Sequence, residues 1–278
     1  MQLSPTSATR AWSGTLEQLL THGQAVAPRG QGTLELPQHT IAVDMLRPVV
    51  VAPTRKVSEK FLGAEAHWML SGDNRVETIA PYNKNIAQFS DDGVTFFGAY
   101  GPKIADQIEY VVRKLFEDQD TRQAGLTLWR ENPPSTKDVP CTIAMFFSLR
   151  DGKLNSHVFM RSSDVWLGVP YDVFNFTMVA MLVMCRLNTF FAAQPAPYQG
   201  EERSWPQVVM PGTLFLTAAS RHLYDRNRAD AKAVLAYDSW DAPTGLVPRE
   251  LWLSERKLMQ TLDAIRSGDR NARWWTKS

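Results

Sequence analysis

Cysteine is scarce in this chain: Cys141 and Cys185 are its two cysteines in 278 residues. Two thiols make a disulfide framework implausible, and a thiolate metal site would need more ligands. The five histidines (His22, His39, His67, His157, His222) lack metal-ligand spacing, so no metal is expected. An excess of one charge is missing too. Thirty basic and twenty-nine acidic residues leave a net charge of +1, which points to no direct nucleic-acid partner and no anionic membrane. A phosphate ligand would be held by a few placed arginines rather than by a basic face. The first residues lack the basic-then-apolar layout of a signal peptide. The longest apolar stretch, around 176–191, is broken by Arg186 and Asn188 and reads as a buried helix, not a membrane span. A cytoplasmic protein is the expectation.

What is present is an ordinary globular composition, 44% hydrophobic and 21% charged. No internal repeat, low-complexity tract or long linker divides the chain, so residues 1–278 are expected to form one domain. Residues 15–22 read as a short helix, and Pro28-Arg29-Gly30-Gln31-Gly32 as a turn compatible with phosphate. Residues 33–53 offer β-branched runs punctuated by prolines. Residues 58–70 look helical and stop at Ser71-Gly72-Asp73-Asn74. Over 103–116, Ile104, Ile108, Val111, Val112 and Leu115 repeat with a helical period. Strand-like runs follow at 125–129, 141–149 and 154–161, and the apolar helix starts near Asp172. Further strands are expected at 207–216 and 233–237, and a last helix at 248–266. Strands and helices mix without strict alternation, which favours an α+β fold over a doubly wound sheet.

Val139-Pro140-Cys141 stands at the mouth of an expected strand. A cysteine there is either a buried apolar residue or a nucleophile, and the second needs something to lower its pKa. Arg161, ending the next strand, is placed to do so if the two strands pair. Cys185, inside the apolar helix beside Met184, reads as structural. Residues 161–172, Arg-Ser-Ser-Asp-Val-Trp-Leu-Gly-Val-Pro-Tyr-Asp, are dense in polar groups between two apolar elements. A guanidinium fork with two hydroxyls suits a phosphate, because every group donates. The alternative is a plain solvated loop.

Pro140-Cys141, Arg161-Ser162-Ser163-Asp164 and Leu167-Gly168-Val169-Pro170 together resemble the signature of the thymidylate synthase family. Four other stretches match in the same order: Glu65 to Asn74, Tyr100-Gly101, Asp120-Thr121-Arg122 and His222-Leu223-Tyr224. The resemblance covers roughly residues 28–230. It implies a thymidylate synthase-like fold, a mixed sheet packed with helices, with one sheet face forming a homodimer interface. It implies that Cys141 adds to C6 of a pyrimidine nucleoside monophosphate, and that C5 then takes a one-carbon unit from 5,10-methylenetetrahydrofolate. By the same carry-over Glu65 organises water and relays protons, and Arg161 and Ser162 hold the 5′-phosphate. Arg122 would do so from the neighbouring subunit, and Arg29 from a mobile loop. His222 and Tyr224 would meet the sugar 3′-hydroxyl, while Asp164 and Phe89 would line the folate side.

The sequence departs from the synthase pattern at the base-reading asparagine, which is Asp172 here. Cytosine offers an N4 amino donor and an N3 acceptor, where uracil offers an O4 acceptor and an N3–H donor. A carboxyl accepts from N4 and, when protonated, donates to N3. Aspartate also caps helices, but asparagine caps equally well, so capping does not explain the change. Gln123, Thr142 and Met160 replace three polar residues of the synthase, and the terminal residues 272–278 lack its short apolar tail. A wetter site would let water add to the exocyclic methylene in place of hydride. These departures resemble the family's dCMP 5-hydroxymethyltransferase branch, known from phage DNA modification, which would act in host cytoplasm. CMP or dUMP as substrate, and a methyl product, remain alternatives, as does an inactive binding protein of the same fold. A cysteine hydrolase built on Cys141 and His222 would need those side chains within hydrogen-bond reach.

Overall fold

A computed structural model of the chain describes residues 3–194, 208–237 and 245–275. In chain order the helices are α1 (Ala8–His22), α2 (Glu59–Leu70), α3 (Val76–Ile79), α4 (Gly101–Glu117), α5 (Val169–Ala192), α6 (Arg228–Leu235), α7 (Glu250–Leu253) and α8 (Glu255–Ser267). The strands are β1 (Gln24–Val26), β2 (Thr33–Asp44), β3 (Gly125–Thr127), β4 (Thr142–Arg150), β5 (Lys153–Met160), β6 (Ser163–Asp164) and β7 (Met210–Tyr224). The strands form one mixed sheet in the order β1-β2-β7-β5-β4-β3, with the short β6 beside β7. The α+β expectation holds.

Local chemistry sets the pieces that matter for the site. Asp151 and Gly152, at φ 50° and 71°, join β4 to β5. Two residues in the left-handed region make the type of turn whose twist matches a hairpin. That turn fixes the register from Arg150↔Lys153 to Ala144↔Phe159, and a bulge at Ile143 then shifts the pairing by one residue to Thr142↔Met160. The hairpin's far end therefore brings Cys141 beside Arg161, whose N–H donates to the Cys141 carbonyl at 2.8 Å. β5 and β7 run parallel, and parallel neighbours need a crossover. The polypeptide that makes it contains α5.

α5 is apolar on nearly every side, and such a helix belongs inside. It is long and apolar enough to cross a bilayer, yet 83% of its apolar window is buried in this fold. It packs on α2, α4, α7 and α8 and on the sheet through β5 and β7. α2 is capped by Ser58, whose hydroxyl accepts from the Phe61 N–H. Trp274 and Trp275, each 5% exposed, close the core from the other end of the chain. Trp274 stacks on Phe174 with ring centroids 6.1 Å apart, and Trp275 meets the same ring edge-on.

Several expected boundaries shift. α1 starts at Ala8 rather than near residue 15, because the Ser7 hydroxyl caps it by accepting from the Arg10 N–H. The strand expected at 233–237 is instead the end of α6. Its Ala231 and Val234 are buried with helical spacing, and an Ala/Lys-rich run favours helix over strand. The last helix is two, broken at Ser254, whose extended backbone ends α7 and whose hydroxyl caps α8. The strand expected from 207 begins at Met210 and runs on to Tyr224; residue 207 lies outside the described residues.

Candidate active site

A cavity of about 200 Å³ opens where α2, α5, the loop before α4 and the lead into β4 converge. Cys141, Glu65 and Asp172, far apart in sequence, all line it. Cys141 is half-buried. The Arg161 Nη2 stands 3.6 Å from its sulfur. The same guanidinium donates to the Pro140 carbonyl from Nε and to the Val139 carbonyl from Nη2, both at 2.9 Å. The strands pair as expected, and the Arg161 charge acts on the thiol in the expected direction. Burial pushes the Cys141 pKa up, with Arg161 and Arg29 opposing and Asp172 and Asp138 adding to the rise. Desolvation outweighs the guanidinium, so the resting sulfur is a thiol.

Glu65 projects from α2 and accepts from the Asn175 Nδ2 of α5 at 2.6 Å. Burial raises its pKa to about 7, against the lowering effect of that hydrogen bond and with a further rise from Asp172. Asp172 lies in the first turn of α5 but is not its cap, which is Gly168. Burial raises Asp172 to about 6; Arg221 pulls it down and Asp164 pushes it up. The carboxyl has no side-chain hydrogen-bond partner among the described residues. Two carboxyls that titrate near neutrality therefore face one cysteine.

The remaining expected residues fall into three groups. Phe89 lines the cavity and is 48% exposed. Ser162, Asp164, His222 and Tyr224 do not line it; Asp164 and His222 are register partners where β6 pairs with β7. The Asp164 carboxylate accepts from the N–H groups of Trp166 and Leu167 at 2.8 and 2.9 Å, which fixes the turn into α5. His222 sits edge-on to Tyr224 with ring centroids 5.1 Å apart, and burial lowers its pKa. His222 makes no hydrogen bond to Cys141, so the geometry of a cysteine hydrolase is not met. Arg29, exposed and left-handed at φ 53°, reaches the site through its charge on Cys141. Arg122 is exposed on the turn before β3 and lines no part of this cavity.

Four further residues belong here. Tyr100 accepts from the Thr142 N–H at 3.1 Å and pairs with its hydroxyl at 3.0 Å, holding the start of β4 from the cavity floor. The Tyr100-Gly101 pair was a visible signal for it. Asn175, which hydrogen-bonds Glu65, and Asp138, three residues before Cys141, also line the cavity. Arg221 is fully buried, donating to the Ser163 hydroxyl at 2.6 Å and to the Leu216 carbonyl at 2.9 Å. No sequence signal marks these three, since each depends on long-range packing. Among the described residues no three His, Cys, Asp or Glu converge as metal ligands.

The thymidylate synthase family pattern matches residues 10–192. A deoxyuridylate hydroxymethyltransferase of Bacillus phage SP01 is 32% identical over 189 residues, covering 59% of this chain and 48% of that protein. A deoxyuridylate hydroxymethyltransferase of Pseudomonas phage M6 is 36% identical over 112 residues, covering 37% of this chain and 32% of that one. The chain thus matches about half the length of the first relative and about a third of the second.

Proposed function

Because the chain belongs to the thymidylate synthase family, we propose that it is a folate-dependent nucleotide 5-hydroxymethyltransferase, converting dCMP to 5-hydroxymethyl-dCMP. The observation that carries the choice of base is Asp172, a buried carboxyl on the cavity wall with a pKa near 6. Above that pH it is mostly an anion. An anion accepts from the N4 amino group of cytosine and is repelled by the O4 oxygen of uracil. A mismatched buried edge costs roughly 1–3 kcal/mol per group, enough to set preference.

In this reading the Cys141 sulfur adds to C6, and Asp172 serves N3 and N4 as the ring gains a proton. Glu65, held by Asn175, moves protons at the ring's far edge, for which a pKa near 7 is well matched. Arg161, Ser162 and Arg29 hold the phosphate, His222 and Tyr224 the sugar. 5,10-Methylenetetrahydrofolate, as co-substrate, supplies the carbon at the oxidation level of formaldehyde, and water supplies the oxygen. Phe89 and Phe96 both line the cavity and offer apolar surface suited to the pterin, which Asp164 would contact.

Arg122 acts from a second copy in this proposal. The outward sheet face supports a homodimer: Ile143, Phe146 and Phe159 are 40–42% exposed on β4 and β5, an apolar patch of the kind that marks an interface. Residues 1–278 acting as one domain in the cytoplasm complete the reading. The names of the phage relatives favour a second substrate, dUMP. A neutral Asp172 carboxyl satisfies uracil as well, donating to O4 and accepting from N3–H. Incubating the protein with dCMP, dUMP and CMP in turn, each with the folate, and weighing the product tests both. The mass of an added CH₂O on dCMP is the expected result; a methyl product with dihydrofolate would defeat the hydroxymethyl reading.

A further inference from the structure

We propose that Asp138 is the catalytic base for the water that completes hydroxymethyl transfer, a role that rests on the hydroxymethyltransferase reading above. Asp138 lies three residues before Cys141 and lines the same cavity. Its Oδ2 accepts from the Gly98 N–H at 2.7 Å. A Cβ on Gly98 would collide with the Asp138 carbonyl and carboxyl, so the two segments are locked face to face. No described residue engages Oδ1. One carboxylate oxygen is thus an anchor and the other is free.

The placement separates Asp138 from the other two carboxyls. Glu65 and Asp172 project from α2 and α5, the first committed to Asn175 and the second to the base edge. Asp138 approaches from the strand side, on the same stretch of backbone as the nucleophile. Burial raises its pKa above the usual carboxylate range, partly offset by the Gly98 N–H. A carboxylate so raised is a stronger base.

The step needs such a group. After one-carbon transfer and loss of tetrahydrofolate, the pyrimidine is still bonded to Cys141 at C6 and carries an exocyclic methylene on C5. Water bonds through oxygen to the methylene carbon and passes one proton to Asp138. The methylene π electrons become the C5–C6 double bond, and the C6–S bond breaks with its pair returning to sulfur. Nothing is oxidised or reduced. A positioned general base contributes about 10²–10⁴-fold to a step of this kind.

Asp138→Asn keeps an oxygen for the Gly98 N–H and removes the base. With enzyme in excess, a single turnover is followed by two readouts: tritium release from C5 of the nucleotide, which needs Cys141 addition and proton removal, and hydroxymethyl nucleotide by mass. The variant should release tritium at least as fast as the parent, since it also loses a charge that raises the Cys141 pKa, while hydroxymethyl formation slows by about 100-fold. Equal product rates in variant and parent, or both readouts falling by one factor, overturn the role of Asp138. A parent that releases tritium yet makes no hydroxymethyl product overturns the reading beneath it.

Discussion

The amide of Asn175 donates to the carboxyl of Glu65 at 2.6 Å, joining α5 to α2 across the cavity that holds Cys141. The bond favours the anion, and burial disfavours it more strongly, leaving a group that titrates near pH 7.

That balance has a cost in stability. The folded pKa of Glu65, about 7, lies above the ordinary glutamate value of 4.5. The folded state therefore holds the proton more tightly, and stability falls as pH rises through this window. Glu65→Gln cannot ionise. Its stability relative to the parent should rise between about pH 4.5 and 7, by an amount on the order of a few kcal/mol, in denaturant melts across that range, while turnover is lost. A stability difference that is flat in pH would contradict the buried titration.

Asp172→Asn should move base preference from dCMP toward dUMP by about 10- to 100-fold in relative kcat/KM, the equivalent of roughly 1–3 kcal/mol. In the parent, discrimination against dUMP should weaken as pH falls through about 6, where Asp172 gains its proton. A preference that ignores both the substitution and the pH would remove Asp172 from base reading.

Arg161 opposes the rise in the Cys141 pKa. Arg161→Gln should shift the pH midpoint for alkylation of Cys141 upward. It should also lower kcat/KM by about 10- to 100-fold through lost charge-assisted hydrogen bonds to phosphate, each worth roughly 1.5–3 kcal/mol. An unchanged alkylation profile would mean that the 3.6 Å contact does not reach the thiolate.

If Arg122 completes the neighbour's site, inactive Cys141→Ala and inactive Arg122→Ala subunits should regain activity when mixed and allowed to exchange. One of the two sites in each hybrid dimer then holds both residues. Phe146→Arg on the apolar sheet face should shift sedimentation toward monomer and abolish turnover. No recovery on mixing would argue for self-contained sites.

Trp274→Ala should cost about 3–5 kcal/mol in denaturant unfolding, as expected for a large buried ring. Activity per folded molecule should hold, since the ring packs on Phe174 inside the core. A closing tail would show the reverse: stability kept and turnover lost.

The sequence by itself determined the ordered motif blocks around Cys141 and most of the helices and strands, because each is written in short-range pattern. Ser58 before an apolar helix and Asp151-Gly152 between two alternating runs act on neighbours a few residues away. The strand expected at 233–237 failed because the short apolar run was read without the Ala/Lys-rich residues before it, whose helix propensity and the burial of Ala231 and Val234 carry α6 to Leu235. Tertiary structure alone decided how the site is tuned. Asn175 meets Glu65 across 110 residues of chain, and Arg221 and Asp138 enter the site's electrostatics from a strand and a loop that no motif ties to it. Arg161 lowers the Cys141 pKa, as its place on the paired strand implied, yet burial raises it more. Desolvation depends on everything packed around an atom, and that sum exists only in the folded chain.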